Sequence, residues 1–133
     1  MKTKAYLTLD DVKKVAVACE AEAVKSNWDV VIAIVDDGGH LLWLQRMDGA
    51  RPANSEIAIL KAHHAAINRR PTKHREDMIF GGRLSILKMP GLPIQGGVPI
   101  IYRGECIGAI GVSGVLSEED TQIANAGIAV LGS

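Results

Sequence analysis

VVIAIVDDGGHLLWLQR, residues 30–46, reads as two extended segments joined by a turn. Val30 to Val35 is an unbroken apolar run, and His40 to Arg46 is a second strand-like run. Between them Asp36-Asp37-Gly38-Gly39 supplies turn chemistry, because glycine reaches positive φ without steric cost and aspartate bonds to nearby backbone. The stretch predicts a β-hairpin. Its tip also carries a carboxylate pair and a histidine, the first cluster along the chain able to touch a ligand. Consecutive strand residues point to opposite faces, so Asp36 and Asp37 do not make a metal or base pair. They are read as turn-capping groups.

Outward from the hairpin, helices and a second hairpin alternate. Upstream, Thr8-Leu9-Asp10-Asp11 is a capped helix start, with acidic residues at the positive end of the helix dipole. Leu9, Val12, Val15, Ala16, Cys19 and Ala23 then recur at helical spacing, and Ser26 or Asn27 ends the run. Downstream, a loop over residues 47–54 leads into a helix from about Asn54 to Arg69. Ile57, Leu60, His64 and Ile67 are spaced to form its buried stripe, and Pro71 closes it. A short helix around His74–Phe80 stops at Gly81-Gly82. Residues 81–97, GGRLSILKMPGLPIQGG, are the most loop-like of the chain and read as a ligand wall or an interface. Val98–Tyr102 and Cys106–Ser113 form a second hairpin around Arg103-Gly104-Glu105, and the alternating glycines of CIGAIGVSG predict close approach of a helix or another chain. Ser117-Glu118-Glu119-Asp120 caps a last helix whose apolar face is Ile123, Ala126, Ala129 and Val130. Two hairpins imply antiparallel pairing, so the fold class is α+β and not a doubly wound parallel sheet.

The 133 residues fit a single domain spanning 1–133, able to bury roughly two-thirds of its unfolded surface. Hydrophobic residues make up 47% but aromatics only 4%, so the core is aliphatic and rich in alanine and glycine. Fifteen basic residues balance fifteen acidic ones, which argues against general electrostatic binding to nucleic acid or to a membrane surface. Zero net charge does little to resist self-association, and a homo-oligomer is expected. Cys19 and Cys106 are too few for a disulfide framework or a metal quartet and read as buried free thiols. The start, MKTKAYLTLDD, reaches acidic residues before any signal-peptide apolar region. No apolar run approaches the ~20 residues that cross a bilayer. A soluble cytoplasmic protein is expected.

Four segments taken in order, VVIAIVDDGGHLLWLQRMDGA, SEIAILKAHHAA, GLPIQGGVPIIYRGECIGAIGVSG and EEDTQIANAGI, resemble the GlcG/HbpS family, formerly a domain of unknown function. Its relatives include the C-terminal domain of PduO-type cobalamin adenosyltransferases. The resemblance runs from about Leu7 to Leu131. It implies a profilin-like α+β fold, an antiparallel sheet of about five strands flanked by helices, and assembly as homo-oligomers. It also implies haem binding in some members and a haem-degrading role in extracellular ones, while others sit in operons for glycolate, diol or glycerol metabolism. One departure is evident. Where the family helix reads K-A-x-T-A-A, this chain has Lys61-Ala62-His63-His64-Ala65-Ala66, so His64 stands in the threonine's place.

Haem needs an apolar slot, one or two axial ligands and cations for its propionates. His40 matches the family's D-x-G-G-H pattern at the hairpin tip. His63 and His64 are adjacent on one helix and point about 100° apart, so they cannot both face one iron. His64 shares the apolar stripe, whereas His63 belongs at the rim or an interface and His74 in solvent. Arg46, Arg51, Lys61 and Arg83 are available to an anion, and Gly96-Gly97 offers backbone N–H groups. No metal-ligand spacing, nucleophile elbow or phosphate-binding glycine pattern is present, and no general acid/base pair stands out. The expected function is a protein of a metabolic operon binding haem or a related tetrapyrrole between the second helix and the 81–97 segment. The alternative is a non-enzymatic oligomeric accessory protein without a tetrapyrrole; a haem-degrading enzyme ranks third.

Overall fold

A computed structural model describes residues 1–132. The opening hairpin forms as β1 (Val31–Asp36) and β2 (Leu41–Arg46). Asp36 Oδ1 accepts from the backbone N–H groups of Gly38 and His40, both at 2.9 Å, and Gly39 takes φ +82°. The acidic pair is therefore turn chemistry at Asp36, as strand alternation requires. The second hairpin is β3 (Gly97–Tyr102) and β4 (Glu105–Ser113), turning through Arg103 and Gly104, both at positive φ. The two hairpins join in one antiparallel sheet of order β2-β1-β4-β3. Four strands replace the five implied by the family resemblance. Pro90 and Pro93, which lack the N–H a ladder needs, lie in the segment ahead of β3. There the chain makes a short 3-10 turn (Leu84–Lys88) and an irregular strap instead of a strand.

The helices cover both faces of this sheet. Helix α1 (Leu9–Lys25) starts in a capping box, with Thr8 Oγ1 accepting from Asp11 N at 3.2 Å and Asp11 Oδ2 accepting from Thr8 N at 3.0 Å. It ends at Ser26, with Asn27 in the left-handed region that asparagine tolerates. Helix α4 (Ser117–Ala129) lies beside α1, and both pack on the face formed by Val30, Ile32, Ile34, Ile110 and Val112. Ser117 is inside α4 and not its cap, because the chain turns at Leu116, whose N–H donates to Glu119 Oε1 at 3.2 Å. The buried face of α4 is Asp120, Ile123, Ala124 and Gly127; Ala126 is half-buried, and Ala129 and Val130 are exposed. Gly127 lets the helix close on Cys19 of α1, and Val130 is the C-cap beyond the packed turns.

Helix α2 (Ala53–Asn68) covers the other face, over Val31, Ala33, Val35 and Ala109. Its predicted stripe is corrected in all but His64. Ala58, Lys61, Ala62, His64, Ala65 and Ala66 are buried, while Leu60 and Ile67 are 47% and 43% exposed and Ile57 is half-buried. The glycines of the second hairpin explain the choice. A Cβ on Gly111 would stand 2.1 Å from Ala58 O, and one on Gly97 would stand 2.3 Å from Lys61 O. The helix backbone lies directly on the sheet, and that spacing accepts alanine but no leucine or isoleucine. Arg69 in the left-handed region and Pro71 end α2, and α3 (Lys73–Phe80) turns back beneath the strap.

Candidate ligand site

The C-terminal half of α2, helix α3 and the strap enclose a cavity of about 350 Å³. This is the predicted wall between the second helix and the 81–97 segment, and His64 closes its floor. The His64 ring is 2% exposed, and its Nδ1 finds no hydrogen-bond partner among the described residues. Glycine 91 lies over that atom: with φ +123°, it has no Cβ, and one there would stand 2.0 Å from Nδ1. Burial, then the charge of Arg75 and then His63, push the imidazole down to about 4, so at neutral pH it is uncharged and keeps a lone pair.

Polar and apolar groups divide the rest of the cavity. Pro71, Met78, Ile86 and Met89 are its apolar lining, and Arg70, Arg75 and Arg83 bring cations to it. Arg75 ties three elements together, donating to Asn68 Oδ1 at 2.7 Å and to the strap carbonyl of Pro90 at 3.1 Å. Asn68 in turn donates to His64 O at 3.0 Å. Arg70 donates to His74 Nε2 at 2.7 Å, so His74 is exposed but belongs to the rim.

The other residues singled out from the sequence are dispersed. His40 sits at the hairpin tip with its side chain 81% exposed and Nδ1 3.2 Å from Asp36 Oδ1. His63 Nδ1 donates to Gly39 O at 3.0 Å and Arg69 bonds to Asp37 O, so these two side chains pin the turn onto α2. Arg46 lies among Glu20, Asp29, Gln45 and Asp48. Arg51 and Lys61 face a second cavity at the opposite end of α2, and Gly96 lies against the Lys61 ammonium. The N–H of Gly97 is already bonded, to Thr72 Oγ1 at 3.0 Å. Of the residues singled out from the sequence, His64 and Arg83 line the first cavity with His74 at its rim, while His40, His63, Arg46, Arg51, Lys61, Gly96 and Gly97 do not.

Sequence reasoning missed Asn68, Arg70 and Arg75, although Asn68 is one helical turn beyond His64 and that spacing is readable. It also missed Asp120. This carboxylate is 1% exposed and accepts from Lys61 Nζ at 3.1 Å through Oδ2 and from Val115 N at 3.2 Å through Oδ1. Burial raises Asp120 to about 6 against the opposing pull of Lys61.

The profile of the family described as "Haem degrading protein HbpS-like" matches residues 7–129. The chain belongs to the HbpS-like family. Among relatives of this HbpS-like chain is Protein GlcG of Escherichia coli strain K12, 46% identical over 114 residues that cover 85% of each sequence. The crystal structure of HbpS superposes with a TM-score of 0.90 at 34% identity, over 100% of this chain and 95% of that one. The crystal structure of a PduOC:heme complex superposes with a TM-score of 0.86 at 29% identity, over 96% of each chain. Fold and family thus agree with the resemblance read from the hairpins. No helix among the described residues is long and apolar enough to cross a membrane.

Proposed function

We propose that this HbpS-like chain binds haem or a related tetrapyrrole in the cavity between α2, α3 and the strap, with His64 as the protein's ligand to the iron. The observation that carries the reading is the His64 ring: buried, neutral, lining a cavity, and with its Nδ1 left unpartnered under Gly91. Its surroundings fit the requirements of the group, with Met78, Ile86 and Met89 for the macrocycle and Arg70, Arg75 and Arg83 for the propionates. At about 350 Å³ the cavity is at the small end of ligand sites. Reaching Nδ1 also requires the strap at Gly91 to move aside. Bound haem would supply an iron centre whose behaviour is set by its axial ligand and the polarity of its pocket.

Titration with hemin tests this. Wild-type protein gives a saturable, shifted Soret band, His64→Ala loses it or weakens it about tenfold or more, as expected for a lost iron ligand, and His40→Ala leaves it intact. Equal affinity in wild type and His64→Ala overturns the ligand assignment.

We also infer that the chain self-associates through the α2 side of its β2 edge. Leu44 is opposite Ala33 in the ladder, and Ala33 faces α2. Leu41 is opposite Val35, which also faces α2, because a bulge at Leu42 breaks the strand alternation. Leu41 and Leu44 are 48% and 40% exposed, and the outward stripe of α2 adds Leu60 and Ile67. The cytoplasm remains the expected compartment, in keeping with two buried free thiols.

A further inference from the structure

A second cavity, of about 320 Å³, opens at the other end of α2, and the haem reading does not use it. Arg51 flanks it from just ahead of α2, Asn54 from the first turn of α2, Ser113 from the end of β4, and Lys61 and Asp120 from its floor. Lys61 is 2% exposed, and its Nζ donates to Val112 O at 3.0 Å and to Asp120 Oδ2 at 3.1 Å. An ammonium has three protons, so one is left without an acceptor among the described residues. The buried pair is costly to desolvate and gives little stability over an apolar pair of the same size, so its presence beside an open cavity calls for a use. Gly96 makes room for it: a Cβ there would stand 2.6 Å from Nζ.

We propose that this cavity binds a short-chain monocarboxylate. Charge selects the monoanion. Arg51, Lys61 and Asp120 are the charged lining residues; Lys61 and Asp120 cancel, which leaves the single positive charge of Arg51. A dianion such as phosphate would meet the Asp120 carboxylate with too little positive charge to balance it. The Arg51 side chain makes no hydrogen bond or ion pair among the described residues, so its guanidinium fork is free for two parallel bonds to a carboxylate. Asn54 and Ser113 add a polar pair, with Ser113 Oγ donating to Asn54 Oδ1 at 2.8 Å, so the amide NH2 of Asn54 remains a donor. Ile57, Ile94 and Val115 add apolar lining suited to a few carbons. The half-buried Ile57, out of place as a core residue, then has a contact to make.

Haem-free protein titrated with sodium butyrate at neutral pH, followed by amide correlation spectra, tests the site independently of haem. The expected result is saturable shifts centred on residues 51–54 and 113–117. Arg51→Ala, whose side chain supports no fold contact, weakens them about tenfold or more, as for loss of a charged hydrogen bond, while Arg46→Ala does not. Non-saturating shifts, shifts spread over the surface, or equal affinity in Arg51→Ala overturn the proposal. Tighter binding of inorganic phosphate than of butyrate overturns the choice of a monocarboxylate.

Discussion

His64 and Asp120 titrate over the same acid range with opposite consequences for stability. His64 falls from 6.5 to about 4 on folding, so the unfolded chain takes up a proton that the native state refuses. Its contribution is complete above pH 6.5 and is lost as the pH falls toward 4. Asp120 rises from 3.8 to about 6, so the native state holds a proton that the unfolded chain releases. Its contribution is complete below pH 3.8 and is lost as the pH rises through about 6. The two slopes offset each other between about pH 4 and 6. His64→Gln removes one of them, so urea unfolding of this variant should show stability that falls as the pH rises through that window, against a flatter wild-type profile. Identical pH slopes in the two proteins would contradict the neutral, buried state of His64. Of these two residues the sequence makes only one readable. His64 declares itself by its place in a helical pattern, whereas Asp120 looks like a surface helix-start acid and meets Lys61 only through a contact 59 residues long.

At the scale of elements, α2 shows what periodicity leaves out. Both of its faces repeat at helical spacing: Ile57, Leu60 and Ile67 on one side, Ala58, Ala62, Ala65 and Ala66 on another. Hydrophobicity favours the first, but the sheet surface decides by volume. Gly97 and Gly111 bring the helix backbone so close to β3 and β4 that only alanine fits. The alternating glycines are visible in the sequence and predict a close approach, yet they do not say which helix approaches or with which face. Gly111→Ala is the direct check, because its methyl would meet Ala58 O and Ala62 N. It should destabilise the protein by about 1–3 kcal/mol, as overpacking does, read as a lower urea midpoint. An unchanged midpoint would mean that α2 rides higher on the sheet than described. The hairpins, by contrast, are legible almost to the residue, since turn glycines and β-branched runs act locally.

For the whole molecule, the order of elements and the α+β class follow from the sequence, and the family follows from two hairpins and two helices. The grouping of site residues does not, because the fold sends His40 and His63 to the hairpin turn, Arg51 and Lys61 to one end of α2, and His64 to the other. Assembly is also a property of the whole molecule. The apolar strip of Leu41, Leu44, Leu60 and Ile67 is expected to bury itself against a second copy. Light scattering after size exclusion should give a multiple of the 14.2 kDa chain mass. Leu60→Glu should shift it toward the monomer with the circular dichroism spectrum unchanged. A wild-type protein that runs as a monomer at all concentrations would remove the self-association reading. The most direct test of the central claim is the position of the iron in a crystal of the hemin-loaded protein, located by its anomalous scattering. The iron is predicted within bonding distance of a His64 ring nitrogen, with the strap at Gly91 displaced. An iron peak beside any other residue, with the His64 ring still sealed under Gly91, would contradict it.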